Sequence, residues 1–133
     1  MPIKTPKIKE PELLTIAPRG SIHPIDSFNG VAQLHYQTQA GKLWLGDVIA
    51  WLKSLPSESV DLIFADPPYN IKKAEWDDFG TMHAYVAWSR EWITEAARVL
   101  KPTGTMYICG FSEILADVKV NVAHLFSGCR WLV

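Results

Sequence analysis

Asp66-Pro67-Pro68-Tyr69 is the stretch of this sequence best suited to chemistry. A carboxylate, two rigid prolines and an aromatic follow directly on a mostly apolar run, Val60-Asp61-Leu62-Ile63-Phe64-Ala65. Proline fixes φ and removes the backbone donor. The Asp66 carboxylate and the Pro67 carbonyl can therefore be held as a pair of hydrogen-bond acceptors, with the flat ring of Tyr69 beside them. This set suits a planar ligand that carries an amino group: the ring stacks while both amino hydrogens are accepted. The same four residues also read as a proline turn with a capping aspartate. Their position at the end of an apolar strand favours the ligand.

The elements that must position this stretch alternate. Lys42-Leu43-Trp44-Leu45 reads as a strand ending at Gly46-Asp47. Val48, Ile49, Trp51, Leu52 and Leu55 then recur at helical spacing, with Asp47 as N-cap and Pro56 as stop. Val60–Ala65 has the composition of a strand covered on both faces, and Pro67 and Pro68 forbid its continuation. Residues 71–80 form a polar loop containing Trp76 and Phe79. From Met82 to Leu100 one helical face carries Tyr85, Trp88, Trp92, Ala96 and Val99. Lys101-Pro102-Thr103-Gly104 breaks that helix. Thr105–Cys109 is the next strand, closed by Gly110. Ser112 caps a helix running to about Asn121, and Arg130–Val133 reads as a further strand. Such alternation implies an α/β fold with a mainly parallel sheet. Ligands in such sheets sit outside the carboxyl ends of the strands, where Asp47, Asp66 through Asn70, and Gly110-Phe111 fall. Residues 1–40, punctuated by Pro2, Pro6, Pro11, Pro18 and Pro24, read as an irregular N-terminal extension with one short strand near Ala32–Tyr36.

Composition narrows the class. With 133 residues, 48% hydrophobic and 20% charged, the chain has room for one globular domain and is not a disordered one. The net charge of −1 shows no basic excess, so any nucleic-acid role must rest on a site rather than on bulk charge. The six tryptophans read as core and helix-packing aromatics. Cys109 and Cys129 lack Cys-x-x-Cys spacing, and His23, His35, His83 and His124 are scattered, so no metal site is expected. The first residues lack the apolar run of a secretory signal, and no run approaches a membrane span. The expectation is a soluble cytoplasmic protein with reduced thiols.

The motif with its surroundings resembles the DNA methyltransferases that modify exocyclic amino groups. The resemblance runs from about Gly41 to Val133. It includes Leu45-Gly46-Asp47, Ser59-Val60-Asp61-Leu62-Ile63 leading into Asp66-Pro67-Pro68-Tyr69, and Val99-Leu100-Lys101-Pro102-Thr103-Gly104. No Gly-x-Gly loop lies upstream, where the release-factor and ribosomal RNA enzymes with a similar Asn-Pro-Pro-Tyr carry one. The resemblance therefore implies the permuted (beta-class) enzymes, in which the catalytic half comes first. An aspartate at the motif's head goes with adenine in that group, and a serine with cytosine, so Asp66 favours adenine over the cytosine 4-amino group.

The resemblance further implies a partial Rossmann-like fold and S-adenosylmethionine as methyl donor. The partner is double-stranded DNA with a flipped target base, in a restriction-modification setting. Asp66, Pro67, Pro68 and Tyr69 are the catalytic residues it implies, and Asp47 and Asp66 the cofactor-binding ones. Asp47 would accept a hydrogen bond from the cofactor's adenine amino group; as a plain N-cap it would contribute about 1 kcal/mol. Lys72 and Lys73 read as solvated surface rather than as a DNA track, and Phe111 as packing rather than pocket wall. Residues 41–133 then form an incomplete catalytic domain, because family members continue into a DNA-recognition region and a glycine-rich cofactor loop. The enzyme reading is the amino-terminal part of an adenine-specific DNA methyltransferase, active only with the rest; an inactive truncated remnant or interaction fragment is the alternative. The isolated chain is expected to need that missing half or to form an oligomer. A small nucleotide-binding domain that merely shares the tetrapeptide is a third reading.

Overall fold

The computed structural model describes residues 21–22 and 32–132. Most of the extension expected over residues 1–40 lies outside them, as do His23 and Val133. The described strands are β1 (Ser21–Ile22), β2 (Gln33–Gln37), β3 (Lys42–Leu45), β4 (Val60–Ala65) and β5 (Leu100–Ile108). The helices are α1 (Val48–Ser54), α2 (Met82–Val99) and α3 (Ser112–Val122).

α1 and α2 each have a local cause. Asp47 Oδ1 accepts the Ala50 N–H at 2.8 Å and starts α1, which ends one residue before Leu55-Pro56. Thr81 starts α2 in the same way, its Oγ1 accepting the Ala84 N–H at 3.1 Å. Along α2, Tyr85, Ser89, Trp92, Ile93, Ala96 and Val99 are buried, the three-to-four spacing of a single helical face. All of these but Ser89 meet Leu52 of α1 and Val118 and Val122 of α3 in one core. Burying one such large apolar side chain stabilises by about 1.5–3 kcal/mol, so α2 is the element around which the others are built. Arg98 fastens its carboxyl end to α1, donating to the Leu52 and Leu55 carbonyls at 2.8 and 3.0 Å and pairing with Glu95 at 2.8 Å.

β4 and β5 form the parallel pair, with Ile63 opposite Met106, Phe64 opposite Tyr107 and Ala65 opposite Ile108. The ladder runs on past the strand ends, where the Cys109 N–H donates to the Ala65 carbonyl at 2.8 Å. β3 differs from the expected parallel arrangement. It pairs antiparallel with β2 through the turn at Thr38–Gly41, in a three-stranded sheet ordered β1-β2-β3. Thr38 Oγ1 closes that turn by accepting the Ala40 and Gly41 N–H groups. The short strand expected near Ala32–Tyr36 is thus β2.

Three local expectations are corrected. Lys101-Pro102-Thr103-Gly104 does not separate helix from strand, because β5 begins at Leu100. Pairing jumps from Val60–Leu100 to Leu62–Thr105, and the bulge between carries the proline that cannot donate to a ladder. Gly104 suits the bulge, since a Cβ would lie 2.7 Å from Leu100 Cδ1 and 3.0 Å from the Asp61 carbonyl and would force Leu100 to shift. Ser112 is the first helical residue of α3, not its cap: the cap position is Phe111, without a side-chain bond, and the Ser112 hydroxyl turns to Glu113. Residues 130–132 form no strand. Trp131 instead lies under the Lys119 ammonium, 5.0 Å from ring centroid to Nζ, so a contact with α3 takes the place of strand pairing.

Candidate active site at the end of β4

β4 delivers Asp66 to its carboxyl end as an exposed residue, while Pro67, Pro68, Tyr69 and Asn70 are half-buried. The Tyr69 hydroxyl donates to Asp66 Oδ1. That hydrogen bond, helped by partial burial and the Asp66 charge, pushes the Tyr69 phenol up to about 12. Phe111, beyond β5, meets the Tyr69 ring edge-on, with centroids 5.5 Å apart. Phe111 thus packs on Tyr69, as expected, while remaining half exposed.

The prolines are steered from below. Tyr85, buried in α2, donates its hydroxyl to the Pro68 carbonyl at 2.8 Å. Burial above all raises the Tyr85 phenol; the Ser89 hydroxyl opposes this and the Asp77 charge adds to it. Phe79 stacks edge-on against Tyr85 at 5.1 Å and packs on Trp88 at 4.8 Å. Its N–H donates to Asn70 Oδ1 at 3.1 Å, so the loop after the motif is pinned to the same helix that builds the core.

Asp77 closes the arrangement, and the sequence reading did not single it out. Its side chain is 2% exposed. Oδ1 accepts the N–H groups of Tyr69 and Asn70 at 2.7 and 2.8 Å, and Oδ2 those of Ile71 and Lys73 at 3.2 and 3.3 Å. The Asp77 backbone carbonyl takes the Lys72 N–H at 3.2 Å. One residue thus satisfies five consecutive backbone donors. Asn70 (φ 57°) and Lys72 (φ 60°) adopt the left-handed conformation that lets successive N–H groups converge; asparagine accepts it readily, lysine does so at a cost. Burial disfavours the Asp77 charge, but the backbone donors outweigh it and hold the carboxyl below its ordinary value. The available signal was the pair Asp77-Asp78 between Trp76 and Phe79 in an otherwise polar loop.

The structure therefore brings Asp66, Pro67, Pro68 and Tyr69 together with Phe111. Asp47 stands apart at the end of β3, in the other sheet, exposed and engaged as a helix cap. Lys72 and Lys73 are exposed, Lys72 lying 3.7 Å from Asp78. Among the described residues no group of three or more His, Cys, Asp or Glu could hold a metal, and no helix is long and apolar enough to cross a membrane. A paired carboxylate and tyrosine on a proline turn, with a second aromatic packed on the tyrosine, can accept hydrogens from a planar amine and stack on its ring.

Residues 60–127, half the chain, match the DNA methylase family. The chain is 40% identical over 90 residues to the type II methyltransferase M.BamHI of Bacillus amyloliquefaciens, covering 63% of this chain and 21% of that protein. It is 40% identical over 103 residues to the DNA adenine methyltransferase YhdJ of Escherichia coli (strain K12), covering 74% of this chain and 34% of that protein. The chain belongs to the DNA methylase family, as a mixed α/β member with a small parallel sheet. It spans between a fifth and a third of the length of these relatives.

Proposed function

We propose that this chain carries the base-capturing part of a site-specific DNA methyltransferase of the permuted, Rossmann-like class. Its substrate is the exocyclic 6-amino group of an adenine flipped out of duplex DNA. The observation that carries the reading is Asp66, an exposed carboxylate at the carboxyl end of a parallel strand, with the Tyr69 ring beside it and Phe111 behind. Adenine rather than cytosine is favoured by the aspartate at the motif's head and by the name of the E. coli relative.

The amino lone pair of adenine is delocalised into its ring and is a poor nucleophile. Asp66 and the Pro67 carbonyl would accept its two hydrogens and draw the nitrogen toward a tetrahedral form. Tyr69 would stack on the base. This is preorganised electrostatics with orientation rather than strong base catalysis. Neither Cys109 nor Cys129 is needed, because no covalent enzyme intermediate forms.

The donor set present fits the adenosine end of S-adenosylmethionine: carboxylates accept from an amino group, and Asp47 keeps an exposed carboxylate at a strand end. Asp47 would accept from that amino group, and Asp66 is the second carboxylate that would contact the cofactor. When bound, it supplies an electrophilic sulfonium methyl to the base nitrogen.

A second reading, a fragment that acts only with further protein, is favoured by the exposed apolar strands. Phe64 is 71% exposed on β4, and all four residues of β3 are exposed. Both readings meet in one experiment. The matched residues of this chain replace their counterparts in the E. coli relative, and DNA treated with the chimera is digested to nucleosides. The expected product is 6-methyladenine. Only 4-methylcytosine would reverse the base; no methylated base from a folded chimera that binds cofactor would contradict the proposal.

A further inference from the structure

Asp77 is the one buried carboxylate among the described residues, and it is spent entirely on the backbone of the segment that starts at Tyr69. A loop whose N–H groups all converge inward forms a concavity that binds an anion. Here the anion is supplied from within the chain, eight residues on. The donors on Oδ1 belong to Tyr69 and Asn70, the last two residues of the motif stretch. We infer that Asp77 is a positioning residue that sets where the Tyr69 ring stands relative to Asp66.

The inference deepens the proposed function, and its link to base capture rests on that reading. The chemistry is specific to a carboxylate. Two ionised oxygens each take two donors, and charged acceptors make the stronger bonds. Asparagine has the same shape but only one acceptor oxygen, so its amide N–H₂ would face two backbone N–H groups whichever way it turned. Without its anion the loop has no reason to keep Lys72 in a left-handed conformation. The Tyr69 backbone then loses the bond that aims its ring. The fold does not depend on the same bonds, because the core is built from α1, α2 and α3.

The test is fluorine NMR of the full chain labelled with 3-fluorotyrosine, with Tyr69→Phe identifying the Tyr69 resonance. In Asp77→Asn the Tyr69 resonance should move most of the way to its unfolded position, while those of Tyr36 and Tyr107, on β2 and β5, stay in place. An unmoved Tyr69 resonance would overturn the inference. Collapse of the Tyr36 and Tyr107 resonances together with that of Tyr69 would overturn it too, by showing a general structural role. A parallel titration with a 2-aminopurine oligonucleotide should show capture reduced on the order of tenfold to a hundredfold in Asp77→Asn. If wild type captures no base while the resonance still moves in the variant, positioning by Asp77 stands and the base-capture reading fails.

Discussion

The Tyr69 hydroxyl donates to Asp66 Oδ1, so in the free protein the ring proposed to stack on a base also occupies the carboxylate proposed to receive it. An entering amino group must displace that hydroxyl from the oxygen. The two functions of Tyr69 can therefore be separated by substitution. Tyr69→Phe keeps the ring and frees Asp66, and it should bind a 2-aminopurine oligonucleotide about as well as wild type. Tyr69→Ala loses the stack and should bind on the order of tenfold to a hundredfold more weakly. Fluorescence titration distinguishes the two; equal losses in both variants would show that the hydroxyl, not the ring, holds the base.

The same pair gives a pH signature. Tyr69 keeps its proton to about 12 in the fold, against about 10 in an unfolded chain. A raised value means that the stabilisation is complete below about pH 10 and is lost as pH climbs through the folded value. Tyr69→Phe should thus be less stable than wild type at neutral pH, with the two curves converging toward pH 12. Asp77 has the opposite sign. Its carboxyl is held below the ordinary value, so its contribution is complete above about pH 4 and disappears as pH falls further. Denaturation curves of Asp77→Asn should lie below wild type at neutral pH and converge with it in acid.

Arg98 links α2 to the end of α1 through the carbonyls of Leu52, in its last turn, and of the cap residue Leu55. Its planar fork reaches both while pairing with Glu95, a geometry lysine cannot copy. Arg98→Lys should cost about 2 kcal/mol, read as a lowered melting temperature, with the Tyr69 fluorine resonance unchanged.

Exposed apolar strands predict how the isolated chain behaves. Leu62 and Phe64 of β4, and Leu43, Trp44 and Leu45 of β3, face solvent, and an apolar edge invites association. Light scattering should find the purified chain oligomeric, and Phe64→Lys should shift it toward monomer without lowering its melting temperature. Calorimetric titration should show weak binding of S-adenosylmethionine. Micromolar binding by a stable monomer would mean that these residues close a cofactor pocket unaided.

Most of this architecture could be read from residue spacing, and the failures have physical causes. α1 and α2 follow from one-sided apolar periodicity, α1 also from its cap at Asp47, and β4 from a nearly unbroken apolar run, all local signals; but β4 is not covered on both faces as expected, since Leu62 and Phe64 are exposed. β3 has the residues of a strand, but its antiparallel partner β2 sits in a segment crowded by prolines, so the pairing was hidden. Pro102 and Gly104 look like breakers because a bulge is invisible until its partner strand is known. At the site, Asp66 and Tyr69 were legible because prolines hold them in sequence. Asp77 was not, because its meaning depends on a loop folding back over eight residues, with Asn70 and Lys72 left-handed.

Asp66 carries the central claim, and substitution in the chimera with the E. coli relative tests it most directly. Transfer of labelled methyl to DNA should fall by at least about a hundredfold in Asp66→Ala, the scale on which loss of one preorganised polar contact acts. Binding of S-adenosylmethionine should remain largely intact, because the main partner proposed for Asp66 is the target base. Near-wild-type methyl transfer by the folded Asp66→Ala chimera would contradict the account.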